Sequence, residues 1–131
     1  MLKFEENTPI YLQIIQKIKA DIVSGKIKGG DKMPSVRELS ENFKVNPNTV
    51  QRVFQELERE GITYSQIGIG TFVSEGHEII EELKTTQAQK HTKRFLEEMK
   101  ELGLTKKEIN EYIDLLMEEQ KNENTWGWAG K

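Results

Sequence analysis

The side chains best suited to recognition crowd one short stretch, NPNTVQR, which holds Asn46, Asn48, Thr49, Gln51 and Arg52. Asn and Gln carboxamides can pair with adenine through N6 and N7, and a threonine methyl can touch the thymine methyl. A guanidinium suits phosphate or guanine. That is chemistry for reading an edge, and chemistry for making or breaking bonds has far less to stand on. The chain contains no cysteine, which excludes a disulfide framework, a thiolate metal site and a cysteine nucleophile. His77 and His91 sit in no catalytic or metal-binding motif, and Glu81-Glu82, Glu97-Glu98 and Glu118-Glu119 are adjacent on helices and so point to different faces. No enzyme activity, no cofactor and no metal site are expected.

The recognition residues need a helix to carry them. Asn46 is a good N-cap and Pro47 suits a first helical position, where its missing N–H costs nothing. Val50, Val53, Phe54 and Leu57 then form a buried stripe, which leaves Asn48, Thr49, Gln51, Arg52 and Gln55 near the opposite face until Gly61 ends the helix. Upstream, Ser35-Val36-Arg37-Glu38 is a capping box opening a short helix with Val36, Leu39 and Phe43 turned inward, and Lys44-Val45 breaks it. An earlier helix begins with Thr8 as cap and Pro9 at the first helical position. It carries a stripe of Ile10, Ile14, Ile18 and Ile22 helped by Tyr11 and Ile15, stops at Ser24-Gly25 and is followed by a Gly29-Gly30-Asp31 turn. Ile62 to Ile67 and Gly70 to Val73 read as two strands joined by the corner Ile67-Gly68-Ile69-Gly70. Two helices, a short turn and then a hairpin match the winged helix-turn-helix plan, in which the second helix of the pair enters the major groove by its first turns. Each residue also has a plainer reading. Asn46 and Pro47 suffice as a helix start, Arg52 as a solvated surface charge, and Gly68 and Gly70 as turn formers, although Gly68 at the wing tip would also let backbone approach a minor groove or phosphate.

From Glu78 to about Gln120 the composition shifts to Glu, Lys, Gln and Leu. Two helices are expected, the first carrying Ile79, Ile80, Leu83, Phe95, Leu96, Met99 and Leu102 around a polar middle. Leu102-Gly103-Leu104 forms a C-cap, and a second capping box, Thr105-Lys106-Lys107-Glu108, opens the last helix with Ile109, Tyr112, Ile113, Leu116 and Met117 on one face. Neither helix can bury its stripe alone. Leu96, Met99, Ile109, Tyr112, Ile113 and Leu116 are therefore assigned to a homodimer interface, the other choice being a pair folded back on its own domain. The organisation expected is mainly α with a small β-hairpin: a winged helix-turn-helix domain over 1–76, a two-helix dimerisation segment over 77–121, and a flexible tail over 122–131. Trp126 and Trp128 in that tail mark either a partner contact or plain terminal disorder.

Charge tempers the picture. The 131 residues carry a net charge of −3, unusual for a nucleic-acid binder, but residues 1–76 hold 10 Lys and Arg against 10 Asp and Glu while residues 77–131 hold 9 against 12. The excess acid thus lies outside the winged domain, where Lys32 and Lys44 can add nonspecific attraction. No apolar run approaches the roughly 20 residues of a membrane span, and MLKFEENTPIY lacks the regions of a signal peptide, so a cytoplasmic protein without a membrane partner is expected.

The stretch MPSVRELSENFKVNPNTVQRVFQELEREGITYSQIGIGTFV, extended by the preceding TPIYLQIIQKIKADIVSGKIKGGDK, resembles the DNA-binding domain of GntR-family bacterial regulators over about residues 8 to 74. Gly30-Asp31, Pro34-Ser35, Arg37-Glu38-Leu39, Asn48-Thr49-Val50, Leu57-Glu58, Glu60-Gly61 and Gly68-Ile69-Gly70-Thr71-Phe72-Val73 occur in order and spacing. The short remainder matches only the YtrA-like subgroup with its two-helix dimerisation segment. The resemblance implies a homodimer on double-stranded operator DNA bearing an inverted repeat, a repressor more often than an activator, and control of a transporter operon. It places Arg37 at the family's DNA-contacting arginine and gives Ser35 a phosphate contact beside its cap. Many members carry arginine where Pro47 stands and a basic residue where Gln51 stands, so the bases read do not transfer. A small-molecule effector is implied, its identity open. The alternative class is a winged-helix protein-interaction module without DNA binding, which a neutral N-terminal domain and an uncharged wing tip would suit.

Overall fold

The computed structural model describes residues 7–123 as five helices and a two-stranded antiparallel hairpin. In order these are α1 (Ile10–Val23), α2 (Val36–Phe43), α3 (Pro47–Arg59), β1 (Thr63–Gln66), β2 (Gly70–Val73), α4 (His77–Glu101) and α5 (Lys106–Glu123). Two compact units divide between Ala88 and Gln89, within α4. The tail beyond Glu123, with Trp126 and Trp128, lies outside the described residues.

In the first unit, Ile14, Ile15, Ile18 and Ile22 of α1 meet Met33, Val53, Leu57, Ile62, Val73 and Leu83 in one core. Val50, Val53 and Leu57 are completely buried. Each such side chain contributes about 1.5–3 kcal/mol through burial, which fixes the rotation of α3 and leaves its polar side to solvent. Lys19 on α1 is buried with its ammonium 3.0 Å from Glu60, just past the end of α3, so the two packed helices are also joined by a charge pair.

The start of α1 differs from expectation. Pro9, with φ −54° and ψ 139°, is itself the N-cap, its carbonyl accepting from Leu12 and Gln13. Its ring sets a helix-compatible φ, but its ψ is extended, so the helix begins one residue later and the Thr8 side chain makes no capping bond. The Thr8 carbonyl instead accepts from the Gln13 carboxamide at 2.8 Å. Ile10, at that first helical position, stays 42% exposed rather than joining the buried stripe.

The hairpin is one residue shorter at each end of its first strand than the pattern suggests, with Thr63 opposite Val73 and Gln66 opposite Gly70. Tyr64 and Phe72 face each other across it with ring centroids 5.7 Å apart. The stretch expected as a bare turn does more. The Gly30 and Met33 N–H groups donate to the Val73 and Thr71 carbonyls, Val73 N–H donates to Asp31, and Lys32 bridges Phe72, so this connection lies along β2 as a further rung. Gly30 has φ +87°, and a Cβ there would stand 2.8 Å from the Glu75 carboxylate. The wing is thereby fastened to the segment leading into α2.

The second unit comprises the rest of α4, a turn through Gly103 and α5. Thr105 and Glu108 form the expected capping box: Thr105 Oγ1 accepts from the Glu108 N–H at 3.2 Å, and Thr105 N–H donates to the Glu108 carboxylate at 2.9 Å. Ile109 is buried within the single chain, whereas Leu96, Leu102, Tyr112, Leu115 and Leu116 remain exposed.

Candidate nucleic-acid interface

Two capped helices build the candidate surface. Ser35 opens α2: its hydroxyl accepts from the Glu38 N–H at 3.1 Å while its own N–H donates to the Glu38 carboxylate at 3.0 Å. The Ser35 backbone N–H, then its hydroxyl, hold the Glu38 carboxyl below the usual carboxylate range, and Lys32 adds to the effect. The Ser35 hydroxyl has one hydrogen, which the Glu38 carboxylate draws on, so a phosphate contact from Ser35 would take that hydrogen over from Glu38 while the cap bond it accepts stays in place. Two residues on, the Arg37 side chain is 89% exposed and its Nε donates to Glu41 at 3.2 Å. That bond leaves the guanidinium's remaining N–H groups for another partner.

Lys44, in the left-handed conformation at φ 57°, ends α2 and turns the chain into α3. Asn46 caps α3, its Oδ1 accepting from the Asn48 N–H at 2.8 Å. The cap engages one lone pair of that oxygen and orients it toward the helix end, which leaves the amide N–H groups as the donors Asn46 offers a duplex. Asn48 and Gln51 are exposed on the first turns of α3 and Thr49 is half-buried between them. Arg52, one residue further on, is exposed but occupied: its guanidinium lies 3.7 Å over the Tyr11 ring centroid and its Nη2 donates to the Tyr11 hydroxyl at 3.0 Å. At the wing tip Gly68 has φ +77° and open space where a Cβ would stand, flanked by exposed Ile67 and Ile69. The Lys32 stem crosses Gly70 close enough that a Cβ there would lie 2.9 Å from it, which brings a cation to a hairpin that has none at its tip.

Helices α2 and α3 pack on each other, so Ser35, Arg37, Asn46, Asn48, Thr49, Gln51 and Arg52 belong to one packed pair, with Gly68 set apart on the hairpin. Two participants escaped the sequence reading. Glu41 is four residues after Arg37, a spacing that signals an ion pair on any helix. Tyr11 is 41 positions from Arg52, and no local pattern announces their meeting.

Residues 10–73 match the family model "Bacterial regulatory proteins, gntR family". The HTH-type transcriptional regulator YhcF of Bacillus subtilis (strain 168) is 46% identical over 116 residues, covering 88% of this chain and 96% of that protein. The chain belongs to the GntR family. This GntR regulator is also 41% identical over 108 residues to the HTH-type transcriptional repressor YtrA of the same organism, covering 82% of this chain and 83% of YtrA. A GntR family transcriptional regulator from Listeria monocytogenes, 40% identical, has the same fold over 85% of this chain and 97% of its own, with a TM-score of 0.79. The DNA-binding domain of AraR, solved in complex with operator ORR3, is 35% identical and covers 56% of this chain and 89% of that domain, with a TM-score of 0.51. The protein is thus a DNA-binding transcriptional regulator of GntR type, winged helix-turn-helix first and helical segment after. Its relatives are regulators rather than enzymes, and no helix among the described residues is long and apolar enough to cross a membrane.

Proposed function

We propose that this regulator is a cytoplasmic repressor that binds an inverted-repeat operator as a homodimer, with α3 of each protomer in the major groove of one half-site. The observation that carries this reading is the division of α3: Val50, Val53 and Leu57 are fully buried while Asn48, Gln51 and Arg52 are exposed. In this reading Asn48 and Gln51 read base edges, Thr49 supplies a methyl or hydroxyl, and Arg37 makes a bidentate contact. Ser35, Asn46, Arg52 and the Gly68 backbone engage phosphates or groove walls. The winged domain spans 1–76 and the dimerisation segment 77–121. The name and coverage of YtrA support repression, and a transporter operon is the target class that goes with that subgroup.

The dimer rests on the second unit. Phe95, Met99, Leu102, Leu104, Tyr112, Ile113 and Leu116 line an apolar groove of about 400 Å³, and Leu96 and Leu115 add exposed apolar surface beside it. Apolar surface of that continuity is characteristic of an interface. A second copy offers the same surface, and two-fold symmetry sets the recognition helices about 34 Å apart, one turn of duplex. Ile109 is already buried within the single chain and so contributes to this segment's own packing rather than to its exposed face. A small-molecule effector of the kind the family uses would act by shifting the spacing of the two α3 helices.

The test is selection of genomic fragments by the purified protein, followed by mobility shift of the top fragment at two salt concentrations. An inverted repeat bound in a salt-sensitive manner is expected. Failure to enrich any sequence would refute the operator reading.

A further inference from the structure

Resting on the reading of Arg52 as a phosphate contact, we propose that Tyr11 is a positioning residue of the DNA interface, its ring and hydroxyl holding the Arg52 guanidinium ready for the duplex backbone. The geometry is specific: Arg52 Cζ is 3.7 Å from the Tyr11 ring centroid and Nη2 is 3.0 Å from the hydroxyl. Tyr11 is half-buried, packed against the core from the first turn of α1, so it is a fixed platform, while Arg52 stands exposed on the second turn of α3. A free arginine side chain loses rotamer freedom whenever it binds, and a preset one loses less.

The kind of partner matters as much as its presence. A carboxylate would hold the guanidinium by cancelling its charge, as Glu56 does for Arg59. An aromatic face attracts the cation through its quadrupole and leaves the charge undiminished. One N–H is spent on the Tyr11 hydroxyl, and the others remain for the forked contact that phosphate oxygens accept. Core packing alone would be served by a phenyl ring. The hydroxyl is what fixes the guanidinium's rotation over the ring.

The test uses the full chain and a fluorescent duplex that the wild-type protein has selected from a randomised pool, with affinity measured across a salt series and folding checked by thermal unfolding. Arg52→Gln is expected to lower the slope of log affinity against log salt by about 0.9 for each phosphate it no longer neutralises. Tyr11→Leu is expected to weaken binding about two- to fivefold per protomer, with Tyr11→Phe between it and wild type. The double variant Tyr11→Leu/Arg52→Gln should bind no worse than Arg52→Gln alone. A Tyr11→Leu effect that persists undiminished without Arg52, or no effect at all, overturns the positioning role while leaving the phosphate contact standing. An unchanged slope in Arg52→Gln overturns the phosphate reading and the proposal with it. Should the leucine variant fail to fold, the cycle between Tyr11→Phe, which keeps the packed ring, and Arg52→Gln decides the matter by the same criterion: non-additivity supports positioning and additivity refutes it.

Discussion

Arg37→Ala separates folding from recognition more sharply than any other single change. The Arg37 side chain is 89% exposed, and its contact with Glu41 is a helix-surface pair four residues apart, 3.2 Å long. Such pairs are worth about 0.3–0.5 kcal/mol, and alanine's helix propensity offsets part of that, so stability should change by less than about 0.5 kcal/mol. Binding is a different matter. A bidentate base contact contributes about 1–3 kcal/mol, and a dimer makes it twice, so about 2–6 kcal/mol is at stake. At about 1.4 kcal/mol per tenfold this is a loss between about 30-fold and about 20,000-fold. If Arg37 meets phosphate instead of guanine, the effect appears in the salt slope, which should fall by about 1.8 for a dimer. Fluorescence anisotropy with the selected duplex over several salt concentrations distinguishes the two, and sedimentation confirms that the dimer persists. Glu41→Gln is the matched control, since removing the competing carboxylate should strengthen binding. Wild-type affinity and slope in Arg37→Ala would show that α2 does not present this residue to DNA.

Leu116→Asp with Ile113→Asp puts two carboxylates into the apolar groove of the helix pair and should give monomers with weakened operator binding, read by sedimentation. An unchanged dimer would move the interface elsewhere. Thr63 is 2% exposed with a hydroxyl that has no hydrogen-bond partner among the described residues, so Thr63→Val should raise stability by about 1 kcal/mol and the unfolding midpoint by several degrees at fixed protein concentration. A lower midpoint would mean that the hydroxyl has a partner after all. Because the Ser35 hydrogen bonds depress the Glu38 carboxyl in the folded state, its contribution to stability is complete above the unfolded-state pKa and disappears as pH falls through the depressed folded one. Glu38→Gln should therefore melt below wild type at neutral pH and level with it in acid. An equal gap at both ends would exclude ionisation as the cause.

The parts of this fold that were legible in the sequence are those whose causes are local. Ser35 with Glu38, Thr105 with Glu108, and Asn46 before Pro47 each satisfy helix-end N–H groups within four residues, and all three appear in the structure as the spacing implies. Thr8 before Pro9 has the same appearance and fails. The outcome there turns on the ψ angle of Pro9, which the residue type does not dictate. What local pattern cannot reach is tertiary pairing. The Gly30–Met33 stretch lies along β2 only because the core brings them together, and Tyr11 reads as one more apolar residue on α1 until α3 lays Arg52 over it. The helices that carry the candidate surface were therefore visible, while the partners of its arginines were not.

Those partners bear on how a chain of net charge −3 can hold a polyanion. Without a strong long-range field, attraction has to come from cations at close quarters, and the three arginines of the first unit are partnered in three different ways. Arg59 is tied to the Glu56 carboxylate, which neutralises it. Arg52 is held by Tyr11, which orders the side chain without itself cancelling the charge, and the Glu56 carboxylate that feels its field is bonded to Arg59. Arg37 lies between these cases, ordered by Glu41 on an exposed helix face where the pair is weak and exchangeable. On the proposed interface this makes a division of labour. Arg52 attracts any backbone it meets, whatever the sequence. Arg37 meets DNA with the N–H groups that Glu41 leaves free, and a partner that takes two of them at once competes with Glu41 for the guanidinium better than one that takes a single bond. Discrimination should then reside in Arg37, and sequence-independent affinity in Arg52.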